Sequence, residues 1–291
     1  MTKFTISTDS CADYFKSYME KNKIYCIPLK RISGGVEYAE IYDLEAELDA
    51  FYQDMRNGTM SSTAQINPEE FTQHFKEILA KEDGDIVYVA LSSGVSGTYN
   101  SAVLAANQLN PTLDGRKIYV IDSLIGTGGQ MMLVEKLKSM RDTTPTAEAV
   151  EITTNMRDRL HVLFLVDDLQ QLKRGGRLSG AKAMIATVLG IKPILTLDKF
   201  GKIEIDSKVR GTAKALEHLL AIIEKRGYDG QDIYIERTSK SELYDQLEQR
   251  IEQKYSKDKV HKVILGPVIG AHVGCGTVAI VFQGVKRVDK R

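Results

Sequence analysis

Three serines, a threonine and two glycines are crowded into Leu91-Ser92-Ser93-Gly94-Val95-Ser96-Gly97-Thr98-Tyr99. The segment follows an apolar run and precedes a helical period. It therefore offers hydroxyls, close backbone approach and the free N–H groups and partial positive charge of a helix amino terminus. Those are the parts of an anion site, and they are equally the parts of a capped strand–helix turn. Ser61-Ser62-Thr63-Ala64-Gln65-Ile66-Asn67-Pro68 is a second hydroxyl cluster ahead of a helix, with the same two readings. Two glycine–arginine junctions, Leu172-Lys173-Arg174-Gly175-Gly176-Arg177-Leu178 and Lys208-Val209-Arg210-Gly211-Thr212, can present a guanidinium to an anion or simply form solvated basic turns. His272 lies in the glycine-rich Gly266–Thr277 segment, as a functional imidazole or a buried neutral one.

Other chemistries fit less well. Gly126-Thr127-Gly128-Gly129 starts a dinucleotide pattern, but its third glycine would fall at Met131. No Walker lysine follows any glycine loop. His74, His161, His218, His261 and His272 have no metal-ligand spacing, so neither a metal nor a cofactor is expected. Gly94-Val95-Ser96-Gly97 approaches a nucleophile elbow, and Ser96 with His272 gives a serine hydrolase as the alternative function. Thr98 replaces the elbow's last glycine, and no acid is clearly placed to orient the histidine.

Composition narrows the classes further. The 291 residues include 39 Lys+Arg against 39 Asp+Glu, so the chain lacks the positive excess that non-specific nucleic-acid binding or a polybasic membrane anchor requires. Cys11, Cys26 and Cys275 are odd in number and form no C-x-x-C pair, which speaks against a disulfide framework. No signal-like apolar core opens the chain, and a cytoplasmic location is the default. Val263–Val285 lacks Lys, Arg, Asp and Glu. Its five glycines and Pro267 suit two short strands around a loop better than a membrane helix, so no stable membrane insertion is expected.

Apolar runs of strand length alternate with helical periods along the whole sequence. Strands are expected at Phe4–Ser7, Ile24–Leu29, Ile86–Leu91, Lys117–Asp122, Val162–Val166, Pro193–Leu197, Lys202–Val209, Ile233–Glu236, Lys262–Leu265 and Thr277–Phe282. Helices are expected from about Ala12, after an Asp43 cap, after Asn67-Pro68, from about Gly97, over Gly126–Arg141, from Thr146, and over Gly180–Leu189, Thr212–Lys225 and Glu242–Tyr255. The alternation implies an α/β protein with mostly parallel sheets flanked by helices. A polar connector at Asp142–Thr146 and a new series near His161 suggest two domains, 1–160 and 161–291. Ligands of such folds sit at the carboxyl ends of strands and between domains.

Taken in order, these loops resemble the DegV family. The similarity lies in Thr8-Asp9-Ser10, Thr63-Ala64-Gln65, Ser92 to Thr98, Ile121-Asp122-Ser123, Val166 to Arg177, Ile191-Lys192-Pro193-Ile194-Leu195, Val209-Arg210 and Gly266-Pro267 with His272-Val273-Gly274. Ala64 stands where the family usually has Ser, and Cys275 where many members have Pro.

The resemblance implies a two-domain α/β fold that encloses one long-chain fatty acid in a tunnel, a C16–C18 acid such as palmitate. It implies no catalysis by the chain itself, which would present the carboxylate to a separate ATP-using fatty acid kinase subunit for acyl-phosphate formation. Thr63 and Ser96 would bind the carboxylate, and Arg177, Arg210 and His272 would lie near the head group or face the partner. Hydroxyls and helix N–H groups suit a head group that changes from carboxylate to acyl phosphate. About 14 methylenes at about 0.8 kcal/mol each give the tail on the order of 11 kcal/mol before ordering costs. Candidate tail-lining segments are Met184–Ile194 and the apolar residues of Gly266–Thr277.

Overall fold

The computed structural model describes residues 4–167, 169–178 and 190–288. Strand β1 (Phe4–Asp9) leads through a 3-10 turn to helix α1 (Lys16–Asn22) and strand β2 (Ile24–Ile27). A hairpin of β3 (Lys30–Ser33) and β4 (Val36–Ala39) precedes α2 (Glu45–Arg56), and β5 (Ser61–Ala64) runs into α3 (Pro68–Lys81). Then follow β6 (Asp85–Ala90), α4 (Thr98–Leu109), β7 (Ile118–Asp122), α5 (Thr127–Met140) and α6 (Thr146–Arg157). The later part comprises β8 (Leu160–Leu165), α7 (Leu169–Arg174), β9 (Ile191–Leu197), β10 (Ile203–Arg210), α8 (Thr212–Lys225), β11 (Ile233–Arg237), α9 (Glu242–Lys254), β12 (Val260–Ile264), α10 (Pro267–Val273) and β13 (Val278–Gln283). The expected helix Gly180–Leu189 lies outside the described residues.

Local chemistry accounts for many boundaries. Asn67 accepts the Glu70 amide, and Glu70 accepts the Asn67 amide, a reciprocal cap that starts α3 with Pro68 in its first turn. Helix α8 occupies the predicted Thr212–Lys225, with Leu216, Leu219 and Ile223 on one stripe. Asp43 does not cap α2: its carboxylate accepts the Ser17 amide, while Glu47 accepts the amides of Asp43 and Leu44.

The α/β class holds, and parallel pairing holds throughout the four-stranded sheet, β2-β1-β6-β7. The six-stranded sheet, β10-β9-β8-β13-β11-β12, is different. Only β11 and β12 run parallel there; the other neighbours are antiparallel. The reason lies in the connections. The β9–β10 turn is too short for a crossover, and β13 enters between β8 and β11 in the opposite sense. A third small sheet, β4-β3-β5, was not expected. Its strands are four residues long and mostly accessible, so they carry little apolar periodicity. Gly34 and Gly35, both at positive φ, make its hairpin turn.

Helix α5 is the centre of the molecule. It touches β1 and β6 on one side and β8, β11 and β13 on the other. Met132, Leu133, Val134 and Leu137 join both sheets in one apolar core. The far face of the first sheet packs on α3 and α4 through Phe71, Phe75, Ala102 and Ala105, and that of the second on α8 and α9 through Leu216, Leu219, Leu247 and Ile251. The alternation of strand side chains divides the faces: on β8, Val162 and Phe164 turn inward to α5, and Leu163 and Leu165 outward. Leu133 is fully buried. Leu133→Ala is expected to cost about 2–5 kcal/mol of unfolding free energy, because two sheets cannot both collapse onto the gap; urea denaturation measures it.

Candidate functional site

The order β2-β1-β6-β7 places a topological switch point between β1 and β6, where the connections leave toward opposite faces. Asp9, the last residue of β1, ties the loops there. Its carboxyl accepts the amides of Cys11 at 3.0 Å and Leu91 at 2.8 Å, the Tyr88 hydroxyl at 2.9 Å and the Gln130 amide group at 3.1 Å. Burial pushes Asp9 above the usual carboxylate range, against the pull of those donors. Asp122, ending β7, accepts the amides of Ser93 and Leu124. Ser92 is buried and donates to the Gly201 carbonyl at 2.9 Å, joining the serine loop to the β9–β10 turn. Sequence reading did not separate these scaffold groups from the functional ones.

Beyond these loops lies a cavity of about 310 Å³, within the range of about 300–1,000 Å³ usual for small-molecule sites. Its walls are mainly apolar: Leu29, Leu91 and Ile125 come from the loops that follow β2, β6 and β7 of the first sheet, and Val162, Phe164, Leu197, Ile203 and Ala279 from strands of the second. Val268, Ile269 and Val273 of α10 complete them. The part of the tail assignment resting on Gly266–Thr277 thus falls on the cavity wall, although this segment forms helix α10 rather than a loop. In the Met184–Ile194 assignment, residues 184–189 lie outside the described residues, and Ile191–Ile194 are not among the lining residues.

Thr63, Ser96, Arg177 and His272 all line this one cavity. Thr63 is carried by β5, an edge strand of the small sheet, and its Oγ1 lies 2.7 Å from His272 Nε2. Burial, aided by the Arg177 charge, pushes the His272 pKa down to about 4, so the ring is neutral at pH 7. When Nε2 carries the proton, it donates to Thr63 Oγ1 and leaves the threonine O–H for another acceptor. The ring needs Gly175 beside it: a Cβ at that position would stand 2.5 Å from His272 Nδ1. Arg177 donates to the carbonyls of Gly175 at 2.6 Å and Val95 at 3.3 Å, which fixes the guanidinium next to the serine loop. Ser96 Oγ donates to Thr98 Oγ1 at 2.9 Å and accepts the Thr98 amide at 3.2 Å, so it also shapes the start of α4. Arg210 ends β10 on the exposed surface, outside the lining residues. The hydrogen bonds of Ser96 and His272 run to Thr98 and Thr63, not to each other, and the Ser–His dyad of a hydrolase loses its geometric support.

Among the polar lining residues, Gln65, Thr127 and Glu236 were given no role in the site by the sequence reading. Gln65 was visible within the Thr63–Gln65 motif. Glu236 breaks the apolar alternation of Ile233–Arg237, which was the available signal. Burial raises its pKa to about 7 although Thr127 and the Gly128 amide donate to it.

A family model described as an uncharacterised protein of the DegV family matches residues 3–284. The chain belongs to the DegV family. A DegV domain-containing protein of Clostridium perfringens is 35% identical over 287 residues, 98% of each chain. Among solved DegV structures, one from Thermus thermophilus described for its fatty acid binding superposes with a TM-score of 0.86 at 27% identity, covering 97% of this chain and all of that one. A fatty acid binding DegV protein from Streptococcus agalactiae gives 0.86 at 26% identity, over 98% of this chain and all of the other. DegV of Bacillus subtilis, also a fatty acid binding protein, gives 0.83 at 27% over the same shares.

The neutral His272 of this DegV chain makes stability pH-dependent. Its folded pKa lies below the unfolded value of about 6.5, so the unfolded chain takes up the proton first as the pH falls. The contribution is intact above about 6.5 and is lost progressively toward about 4. Urea titrations at pH 7 and 5 are expected to show His272→Asn losing about 1–2 kcal/mol less stability than the parent over that interval.

Proposed function

We propose that this DegV chain holds one long-chain fatty acid, C16–C18, in the cavity between its two large sheets. It presents the carboxylate to a separate ATP-using kinase subunit for acyl-phosphate formation and has no catalytic machinery or cofactor of its own. The observation that carries this reading is the pairing of an apolar space with a compact polar end made by Thr63, Ser96, His272 and Arg177. The solved relatives that bind fatty acids support it.

The chemistry is suited to the task. Thr63 and Ser96 offer hydroxyl donors to the carboxylate, and neutral His272 orients Thr63 without placing a full counter-charge against it. Arg177 adds a positive field that favours the more highly charged acyl phosphate. The tail supplies the affinity and the polar end the orientation. Arg210, exposed at the end of β10, faces the partner in this reading. The same reading divides the chain at residues 1–160 and 161–291: the four-stranded sheet is drawn from the first part and the six-stranded sheet, but for Leu160 at the start of β8, from the second.

Mass spectrometry of the freshly purified, denatured protein is expected to show a C16–C18 acid at near-stoichiometric level; protein free of lipid would overturn the reading. Thr63→Val and Ser96→Ala are each expected to weaken binding by about 1–3 kcal/mol, as hydrogen bonds to a buried charge are lost. Arg210→Ala is expected to keep its lipid and to slow acyl-phosphate formation with the kinase subunit. An unchanged rate would remove Arg210 from the docking face.

A further inference from the structure

Gln65 stands where the cavity meets solvent. Among the described residues that line the cavity, it alone is exposed. Thr63, Ser96, Arg177 and His272 are partly exposed, whereas Phe164, Val268 and Ala279 are buried. The cavity therefore opens at its polar end, with Gln65 on the rim. The Gln65 carboxamide carries two N–H donors and a carbonyl acceptor. None of them hydrogen-bonds to a described residue.

A glycine makes room for this side chain. A Cβ at residue 97 would stand 2.1 Å from Gln65 Oε1 and 2.9 Å from its Cδ, so the carboxamide lies against the bare α-carbon of Gly97. The backbone does not require glycine there: φ is −77° and ψ −4°, within the right-handed helical region open to any residue. What the missing side chain provides is space for Gln65. Gly97 follows Ser96 directly, and Thr63 precedes Gln65 by two residues. The unengaged carboxamide thus shares the polar end with the two hydroxyls assigned to the carboxylate, and it is the most exposed group there.

That arrangement decides where a larger head group extends. With the tail among the apolar walls, anything joined to the carboxyl oxygen projects outward, toward Gln65. A phosphoryl group at that place presents oxygens that accept hydrogen bonds. A carboxamide donates to them without adding a second full counter-charge to that of Arg177. A free carboxylate is shorter, and Thr63 and Ser96 serve it.

We propose that Gln65 is a specificity-determining residue of the head-group site, which binds the phosphoryl oxygens of an acyl phosphate and favours that form over the free acid. This inference rests on the fatty-acid reading, and the two fail separately.

The test measures the affinity of the full-length, delipidated protein for hexadecanoic acid and for (2-oxoheptadecyl)phosphonate. The phosphonate is a stable analogue of hexadecanoyl phosphate, with a methylene in place of the bridging oxygen. The ratio of the two affinities is the quantity read, and a general loosening of the fold does not move it. Gln65→Ala, at an exposed position, is expected to shift the ratio against the phosphonate by about fivefold or more, as hydrogen bonds to a charged group are lost. Gln65→Glu has the same size, no donor and a negative charge, and is expected to shift it further. Gly97→Ala takes the space of the carboxamide and is expected to shift the ratio in the same direction. Combined with Gln65→Ala, it is expected to add nothing to the shift, because both substitutions act on one interaction. An unchanged ratio in Gln65→Ala overturns the role of Gln65 alone. So does a parent that binds the acid and not the phosphonate, or a Gly97→Ala shift that persists in full without Gln65. Failure of the parent to bind hexadecanoic acid overturns the fatty-acid reading, and the role of Gln65 with it.

Discussion

The hydrogen bond between Thr63 and His272 closes the polar end of the cavity across 209 residues of chain. It links β5, at the edge of the small sheet, to α10, and so fixes where an acidic head group can be received. Each partner depends on its surroundings. The imidazole is neutral because it is buried and because Arg177 repels a proton. It can lie where it does because Gly175 has no side chain. The threonine is held by the β3–β5 ladder, where it faces Arg31. Loss of any of these would leave an apolar cavity with no defined orientation for what enters it.

The rest of the architecture keeps that cavity open in an otherwise dense core. Helix α5 packs against strands of both large sheets, and the cavity lies at its amino terminus, where Gly126 and Thr127 line it. Asp9, Asp122 and Ser92 spend their hydrogen bonds on the loops around the switch point rather than on a ligand. Such fixed loops matter because the polar end must not collapse onto the apolar walls when empty. Donors already in place cost little reorganisation when a charged group arrives.

Much of this was legible in the amino-acid sequence, for identifiable reasons. Long elements with strong periodicity, such as Pro68–Lys81 and Thr212–Lys225, declare themselves through caps and apolar stripes. The hydroxyl and arginine clusters stood out because Ser, Thr, Gly and Arg rarely gather at strand ends without a local reason. The small sheet was hidden by its short, accessible strands, and only Gly34-Gly35 betrayed a hairpin. Strand direction in the second sheet was hidden because pairing is a long-range property that local pattern does not carry. Helix α10 was mistaken for a loop because Gly266, Gly270 and Gly274 mask about two helical turns of mostly apolar residues. Glu236 escaped because a lone carboxylate in a strand gives only a break in the apolar alternation and no motif spacing; its place in the cavity wall appears only when Ala279 and Phe164 stand beside it.

The central physical claim is that the apolar walls supply affinity and the small polar end supplies orientation. Equilibrium binding of saturated acids of increasing length, from ten to eighteen carbons, tests it most directly. Each added methylene is expected to tighten binding about fourfold, the equivalent of about 0.8 kcal/mol, until the cavity is full. An affinity that does not change with chain length would place the binding energy at the head group and contradict the account.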